Sequence, residues 1–269
     1  MELLTSIEQY TSMTLPTPEL TSKSNMALIP GSDFEMGAKG WGEFESPVHP
    51  VFVKDFLLDA AQVTNRQFRL FAEATAYVST AEQKGWAWGY RDGKPAEILG
   101  LCWKTYATHD RDEHPVILVS WHDAAAYAKW AGKRLPTEAE FEKAARGGLS
   151  GKLYPWGDEQ PTDRLCNFGK EAFDVPPTTP VGHFPPNGYG LFDMCGNVWN
   201  WCSDWFSENY YTNSPAENPS GAASGATKVR RGASFNIMQT FRLRCSNRGA
   251  YLPDNYAINI GFRCAKDLI

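Results

Sequence analysis

Every strong helix signal in this chain falls between residues 64 and 147, and no helical periodicity follows residue 148. Thr64 followed by Gln67 is a capping box, with Phe68 and Phe71 at helical spacing behind it. Ser120 opens a second helix, with Ala124, Tyr127, Ala128 and Ala131 as its apolar stripe and Gly132 at the position past its end. Thr137 opens a third, with Phe141, Ala144 and Ala145 facing inward and Gly147-Gly148 closing it. Before these helices, Ala27-Leu28-Ile29, Asp33-Phe34-Glu35-Met36-Gly37, Val51-Phe52-Val53 and Phe56-Leu57-Leu58 read as short strands. After them, 154–157, 185–188 and 214–225 are turn and loop chemistry, and short strands fit 198–201, 229–235 and 261–265. The pattern fits a helical bundle or a doubly wound sheet less well than a compact α+β domain. It predicts a compact, loop-rich α+β fold. Its 10 Trp, 11 Tyr and 15 Phe beside 23 Gly and 18 Pro supply the core area that so little regular structure needs.

Charge narrows the function classes. Lys and Arg number 26 against 31 Asp and Glu, a net charge of −5, which argues against a basic nucleic-acid footprint or a polybasic membrane patch. No apolar run is long enough to span a membrane. Residues 1–25, rich in Ser, Thr and Pro, read as a weakly ordered leader, and 26–269, without a composition break, as one domain. That leader lacks a basic start followed by an apolar run, so it does not read as a secretory signal. Cys102, Cys166, Cys195, Cys202, Cys245 and Cys264 form no CxxC pair and read as buried free thiols. The five histidines show no ligand spacing; His109-Asp110 and Asp112-Glu113-His114 could approach a metal but read first as solvated loop residues.

The motifs VSWHDAAAYAKWAGKRLPTEAEFEKAARGG at 119–148, YPWGD at 154–158, PPNGYGLFDMCGNVWNW at 185–201, RRGASF at 230–235 and NIGFRCA at 259–265 occur in that order, preceded by IPGSDFEMG at 29–37 and VTNRQF at 63–68. Together they resemble the formylglycine-generating enzyme, or sulfatase-modifying factor, family. The resemblance covers nearly all of 26–269. It implies an irregular fold related to C-type lectins, with structural calcium and one surface cleft.

The family's active enzymes oxidise a sulfatase cysteine to formylglycine, using copper(I) held by two thiolates just past a G-[GA]-S turn. Soft thiolates suit copper(I). Here the turn is Gly232-Ala233-Ser234, Ile237 stands where the first thiolate belongs, and the shorter stretch that follows has no cysteine before Cys245. Met238 offers one thioether, which is not a pair. Two cysteines of the family's disulfides are replaced by Ala128 and Ala145, leaving Cys245 and Cys264 without those mates; a Cys245–Cys264 bond stays open. These losses lean the expectation toward a reducing, cytoplasmic setting. The resemblance implies that Ser234, Arg248 and Asn259 line the cleft as the candidate catalytic trio. The plain alternatives are a turn-satisfying Ser234 and an Arg248 paired with Asp254. It also implies two calcium sites: Asp193, Gly196, Val198 and Asn200 at one, and Asn167 and Phe168 at the other, with Asp174 as the candidate carboxylate. A plain turn is the alternative for the first set. The resulting expectation is an oxidoreductase or maturation factor acting on a peptide, protein or peptide-derived substrate without the copper dithiolate and with its redox metal, if any, unidentified. The alternative is a non-catalytic peptide- or protein-binding paralogue.

Overall fold

The computed structural model describes residues 26–268, so the segment read as a leader lies outside the described residues. The chain runs through strands β1 (Met26–Ile29), β2 (Ser32–Met36), β3 (His49–Val53) and β4 (Phe56–Asp59), then helices α1 (Asn65–Thr75) and α2 (Thr80–Lys84). A hairpin of β5 (Trp86–Arg91) and β6 (Lys94–Leu99) leads to helices α3 (Trp103–Tyr106), α4 (Trp121–Trp130) and α5 (Glu138–Arg146). The rest is loop punctuated by β7 (Trp199–Trp205), β8 (Lys228–Arg231), β9 (Arg248–Tyr251), β10 (Ile260–Gly261) and β11 (Ala265–Asp267). This is the irregular, loop-rich α+β architecture that the sequence predicts.

The three expected helices form where their caps place them. Thr64, Ser120 and Thr137 each accept a hydrogen bond from the backbone N–H three residues on, and Gln67, Asp123 and Glu140 reach back to complete a capping box. The strand expectations need adjustment. The stretch 229–235 pairs only to Arg231, because Gly232 and Ala233 both take positive φ and turn the chain out of the sheet. The stretch 261–265 divides: Ile260 and Gly261 pair parallel to β7, while Ala265–Asp267 pairs antiparallel to β4. The β5–β6 hairpin was not anticipated, although Asp92-Gly93, both at positive φ, is a hairpin turn signal.

Two small sheets carry the architecture. One has the order β1-β4-β11, and the other β10-β7-β8-β9 with a register shift between Trp201 and Trp205. The larger sheet lies between helices. On one side Phe68 and Phe71 of α1, Tyr127 of α4, Trp201 and Phe262 interlock, and Phe68 meets Trp103, Tyr127 and Phe262 at ring-centroid distances of 5.1, 6.0 and 6.4 Å. On the other, Phe141, Ala144 and Ala145 of α5 pack with Val229 and the first sheet. All six cysteines are buried and free. Among the described residues no helix is long and apolar enough to cross a membrane.

Candidate functional site

The chain after β8 sets the site. Gly232 (φ +90) and Ala233 (φ +57) turn it back, and the Gly196 N–H donates to the Gly232 carbonyl at 2.7 Å. A Cβ on Gly232 would lie 3.0 Å from the Met194 carbonyl oxygen, so its positive φ and this crowding both favour glycine. Ser234 then enters a small polar group. Its hydroxyl donates to Asn236 Oδ1 at 2.8 Å, and Asn259 Nδ2 donates to the same oxygen at 3.0 Å. Asn259 Nδ2 also lies 3.4 Å from Ser234 Oγ. The structure therefore brings Ser234 and Asn259 together and adds Asn236, which sequence reasoning missed. Its only signal was a short amide side chain two residues past the turn.

Arg248 does not join them. Directly opposed residues of an antiparallel pair share a face, and Arg248 faces Arg231 across β8–β9. Both side chains therefore point to the α5 side. There Arg248 makes a bidentate ion pair with Glu138, at 2.7 Å from each nitrogen, with its guanidinium 4.2 Å from the Tyr211 ring centroid and 4.8 Å from that of Phe206. Burial works against its charge, and Glu138 and Tyr211 outweigh that and raise its pKa. Asp254, the partner expected from sequence, instead faces His122 Nε2 at 3.1 Å.

The stretch where the resemblance places copper thiolates holds none. Ile237 packs against the core, and its N–H donates to the Ser234 carbonyl at 3.1 Å. Met238 and Phe241 are exposed, and Phe241 stacks on Trp41 with centroids 6.4 Å apart and planes 15° apart. Arg244 fixes this arrangement: its guanidinium lies over Trp41, 4.4 Å from the centroid, and grips buried Glu45 at 2.6 and 2.8 Å. Cys245, next along the chain, is buried among apolar groups and its thiol is pushed up to about 12. Copper(I) held by two thiolates does not fit these residues.

The candidate calcium loop is better formed. Asp193 and Asn197 sit at φ 51° and 58°, a region that short polar side chains tolerate. Arg263, fully buried, holds the loop from beneath through the carbonyls of Phe192 (2.7 Å) and Asp193 (3.0 Å), and its Nε lies 3.3 Å from Asn200 Oδ1. The Asp193 carboxylate accepts from the Gly182 N–H at 2.8 Å but enters no ion pair among the described residues, and burial raises its pKa. Arg263 and His183 are the charges that oppose that rise, and the Asn200 amide oxygen faces Arg263. The Val198 carbonyl is already engaged by Gln62 Nε2 at 2.8 Å and Asn200 Nδ2 at 3.1 Å, so it would join a calcium site only by sharing.

The second calcium set is not gathered. Asn167 Nδ2 donates to the Pro177 carbonyl at 2.8 Å, and its own carbonyl accepts from Asn197. Asp174 is drawn to the hairpin turn instead, where its carboxylate lies 3.5 Å from the Gly93 N–H and its carbonyl accepts from Tyr106 at 2.9 Å. Phe168 is half-buried against the core. The histidine stretch is likewise committed: Asp112 pairs with Arg69 at 2.7 Å and Glu113 with Arg66. His114 meets Thr178 Oγ1 at 2.9 Å, and burial and Arg111 push its pKa down to about 4. Among the described residues no three His, Cys, Asp or Glu side chains form a group able to hold a metal.

The sulfatase-modifying factor enzyme 1-like domain matches residues 11–268. The chain belongs to the sulfatase-modifying factor family. It is 42% identical to a formylglycine-generating enzyme of Thermomonospora curvata over 90% of this chain and 93% of that one. It is 35% identical to an inactive Cα-formylglycine-generating enzyme 2 of Bos taurus, over 90% and 87%. Among solved structures it is similar to PvdO of Pseudomonas aeruginosa, with a TM-score of 0.73 and 27% identity over 90% of this chain and 94% of that one. The relatives thus include proteins named as a formylglycine-generating enzyme and as an inactive one, and this member carries the polar group at Ser234 and, in the stretch that follows, exposed Met238 and Phe241 in place of thiolates.

Proposed function

We propose that this sulfatase-modifying factor family member binds an apolar-anchored peptide or protein segment without converting it to formylglycine. The observation that carries this reading is the exposed Trp41–Phe241 stack, with Phe241 in the stretch after Ser234 where a copper(I) enzyme would need two thiolates. Aromatic anchors of this kind dominate binding energy, and Arg244 with Glu45 preorganises them. The test uses a fluorescent sulfatase-derived peptide with a central cysteine. Binding without loss of that thiol, weakened roughly tenfold or more by Trp41→Ala or Phe241→Ala, is the expected result. Aldehyde formation with copper(I) and oxygen would overturn it.

The Ser234, Asn236 and Asn259 group favours a second reading, an oxidoreductase or maturation factor acting on a peptide or peptide-derived substrate. An amide and a hydroxyl can orient a substrate backbone. Asn259→Ala then abolishes turnover while leaving binding to the aromatic face unchanged.

We further propose that Asp193, Gly196, Val198 and Asn200 hold a structural calcium ion. Calcium at a hundred times its Kd would add about 2.7 kcal/mol to stability. The Tm should therefore rise in calcium buffer over chelator, and Asp193→Asn should remove that difference. In chelator the same variant should match the wild type or exceed it, because it relieves a buried carboxylate whose charge burial disfavours. Identical Tm with calcium and chelator in the wild type would rule the site out.

A further inference from the structure

We propose that Arg230 receives an acidic side chain of the bound peptide or protein segment, so that the ligand pairs an apolar anchor with an Asp or Glu. The inference rests on the aromatic-anchored binding proposed above. The stretch 218–253 carries six Lys or Arg and no Asp or Glu, in a chain whose net charge is −5. Most of that positive charge is answered from elsewhere in the fold. Glu142 meets Arg231, Glu45 meets Arg244 and Glu138 meets Arg248. Lys228 donates to the Ser203 carbonyl at 2.7 Å and lies over the Trp205 ring, 3.8 Å from its centroid. Among the described residues no carboxylate reaches Arg230 or Arg242.

Arg230 is nevertheless held in place. It stands opposite Trp201 on β7 and Gly249 on β9, so Trp199 and Tyr251, two residues away along those strands, share its face of the sheet, the face turned away from α5. Its guanidinium lies over both rings, 4.6 Å from the Trp199 centroid and 5.0 Å from that of Tyr251. Gly249 makes the slot: a Cβ there would lie 3.0 Å from Arg230 Cγ, 3.1 Å from its Nε and 3.2 Å from the Trp199 ring. Arg230 Nε is buried without a hydrogen-bond partner among the described residues, while the residue as a whole is half-buried. Burial and the like charge of Arg242 bring its pKa down to about 10, so it stays charged at neutral pH. An arginine preoriented by two rings and lacking a counter-ion is a receptor for a carboxylate, whose two oxygens match its fork of N–H donors.

The slot adjoins the polar group at Ser234. The Trp199 N–H donates to the Asn259 carbonyl at 2.9 Å, and Ile237 packs on the same cluster as Trp199 and Tyr251. Arg242 lies over Phe241, 6.0 Å from its centroid, so cations stand beside both the polar group and the aromatic anchor. Two unanswered guanidiniums exceed the charge of one chain terminus, which favours acidic side chains within a segment over a C-terminal carboxylate.

The experiment uses the full chain and isothermal titration calorimetry. The probes are acetylated, amidated decapeptides with one Trp and one Glu placed two to six residues from it, each beside its Gln counterpart. For at least one spacing the Glu peptide should bind roughly tenfold or more tighter than the Gln peptide. That ratio should fall to near one in Arg230→Gln, and Arg230→Lys should recover little of it. Because the ratio is internal to each variant, a loss of folded protein cannot imitate its loss. Gly249→Ala, which crowds the slot without touching the charge, should lower the ratio too, whereas Trp41→Ala should weaken both peptides alike. Equal binding of Glu and Gln peptides, both weakened by Trp41→Ala, would overturn the acidic preference and leave the aromatic-anchored binding standing. A ratio that survives Arg230→Gln, or a gain seen only with a free C-terminal carboxylate, would overturn it as well. No binding by any peptide would overturn both.

Discussion

Replacing Glu142 with alanine should destabilise the protein by about 3–5 kcal/mol, because it strands buried positive charge rather than deleting a contact. Glu142 and Arg231 are both fully buried and joined directly; Arg146 bonds the same carboxylate at 2.7 and 3.1 Å, and the Gly37 N–H donates to it at 2.8 Å. Arg231 also holds the carbonyls of Ser246 and Asn247 at 2.7 Å each. One carboxylate therefore joins α5, β8, the β2–β3 connection and the entry to β9. The expected Tm loss is roughly 10 °C or more for a chain of this size, and Glu142→Gln, which keeps part of the hydrogen bonding, should lose less. The pH dependence has a defined sign. Burial by itself raises the Glu142 pKa, but Arg146, Arg231 and the Gly37 amide outweigh it and leave the carboxyl below its ordinary value of 4.5. The stability it contributes is thus complete above pH 4.5 and is lost as pH falls through the depressed folded value. Urea titrations from pH 7 down to pH 3 should show a steeper loss for the wild type than for Glu142→Ala. Parallel curves would mean the network contributes nothing.

The second large effect is expected at Arg248. If it served the cleft, alanine there would reduce ligand binding and leave Tm nearly unchanged. Its geometry predicts the reverse. Arg248→Ala leaves Glu138 buried with only Arg231, 3.8 Å away, and removes the stacking on Tyr211 and Phe206, a loss of about 3 kcal/mol. Adding Glu138→Gln removes the stranded charge, so the double variant should be less destabilised than the sum of the two singles. Strict additivity, or unchanged Tm with lost peptide binding, would return Arg248 to the site. Arg248→Lys should recover little, since an ammonium cannot reproduce the two-point grip on a carboxylate.

Much of the scaffold was legible because its signals are local. Thr64, Ser120 and Thr137 begin helices through bonds to residues three positions on, and Gly147 ends one at φ +58. The absence of copper thiolates was equally legible, since it depends only on which residues follow Ser234. The pairing of Ser234 with Asn259 followed from the family resemblance, but Asn236 as the oxygen that joins them did not.

What the sequence by itself determined is therefore the set of elements, their caps, and the chemistry the loop after Ser234 can and cannot offer. Tertiary structure alone decided which side of the sheet Arg248 faces, that Glu138, 110 residues away, claims it, and that Asp174 turns to the hairpin instead of Asn167. It also brought Trp41 to Phe241. The physical reason is range. Caps and turns are fixed by neighbours within a few residues, whereas a buried charge or an aromatic ring takes the partner that packing delivers, and that partner has no fixed spacing along the chain.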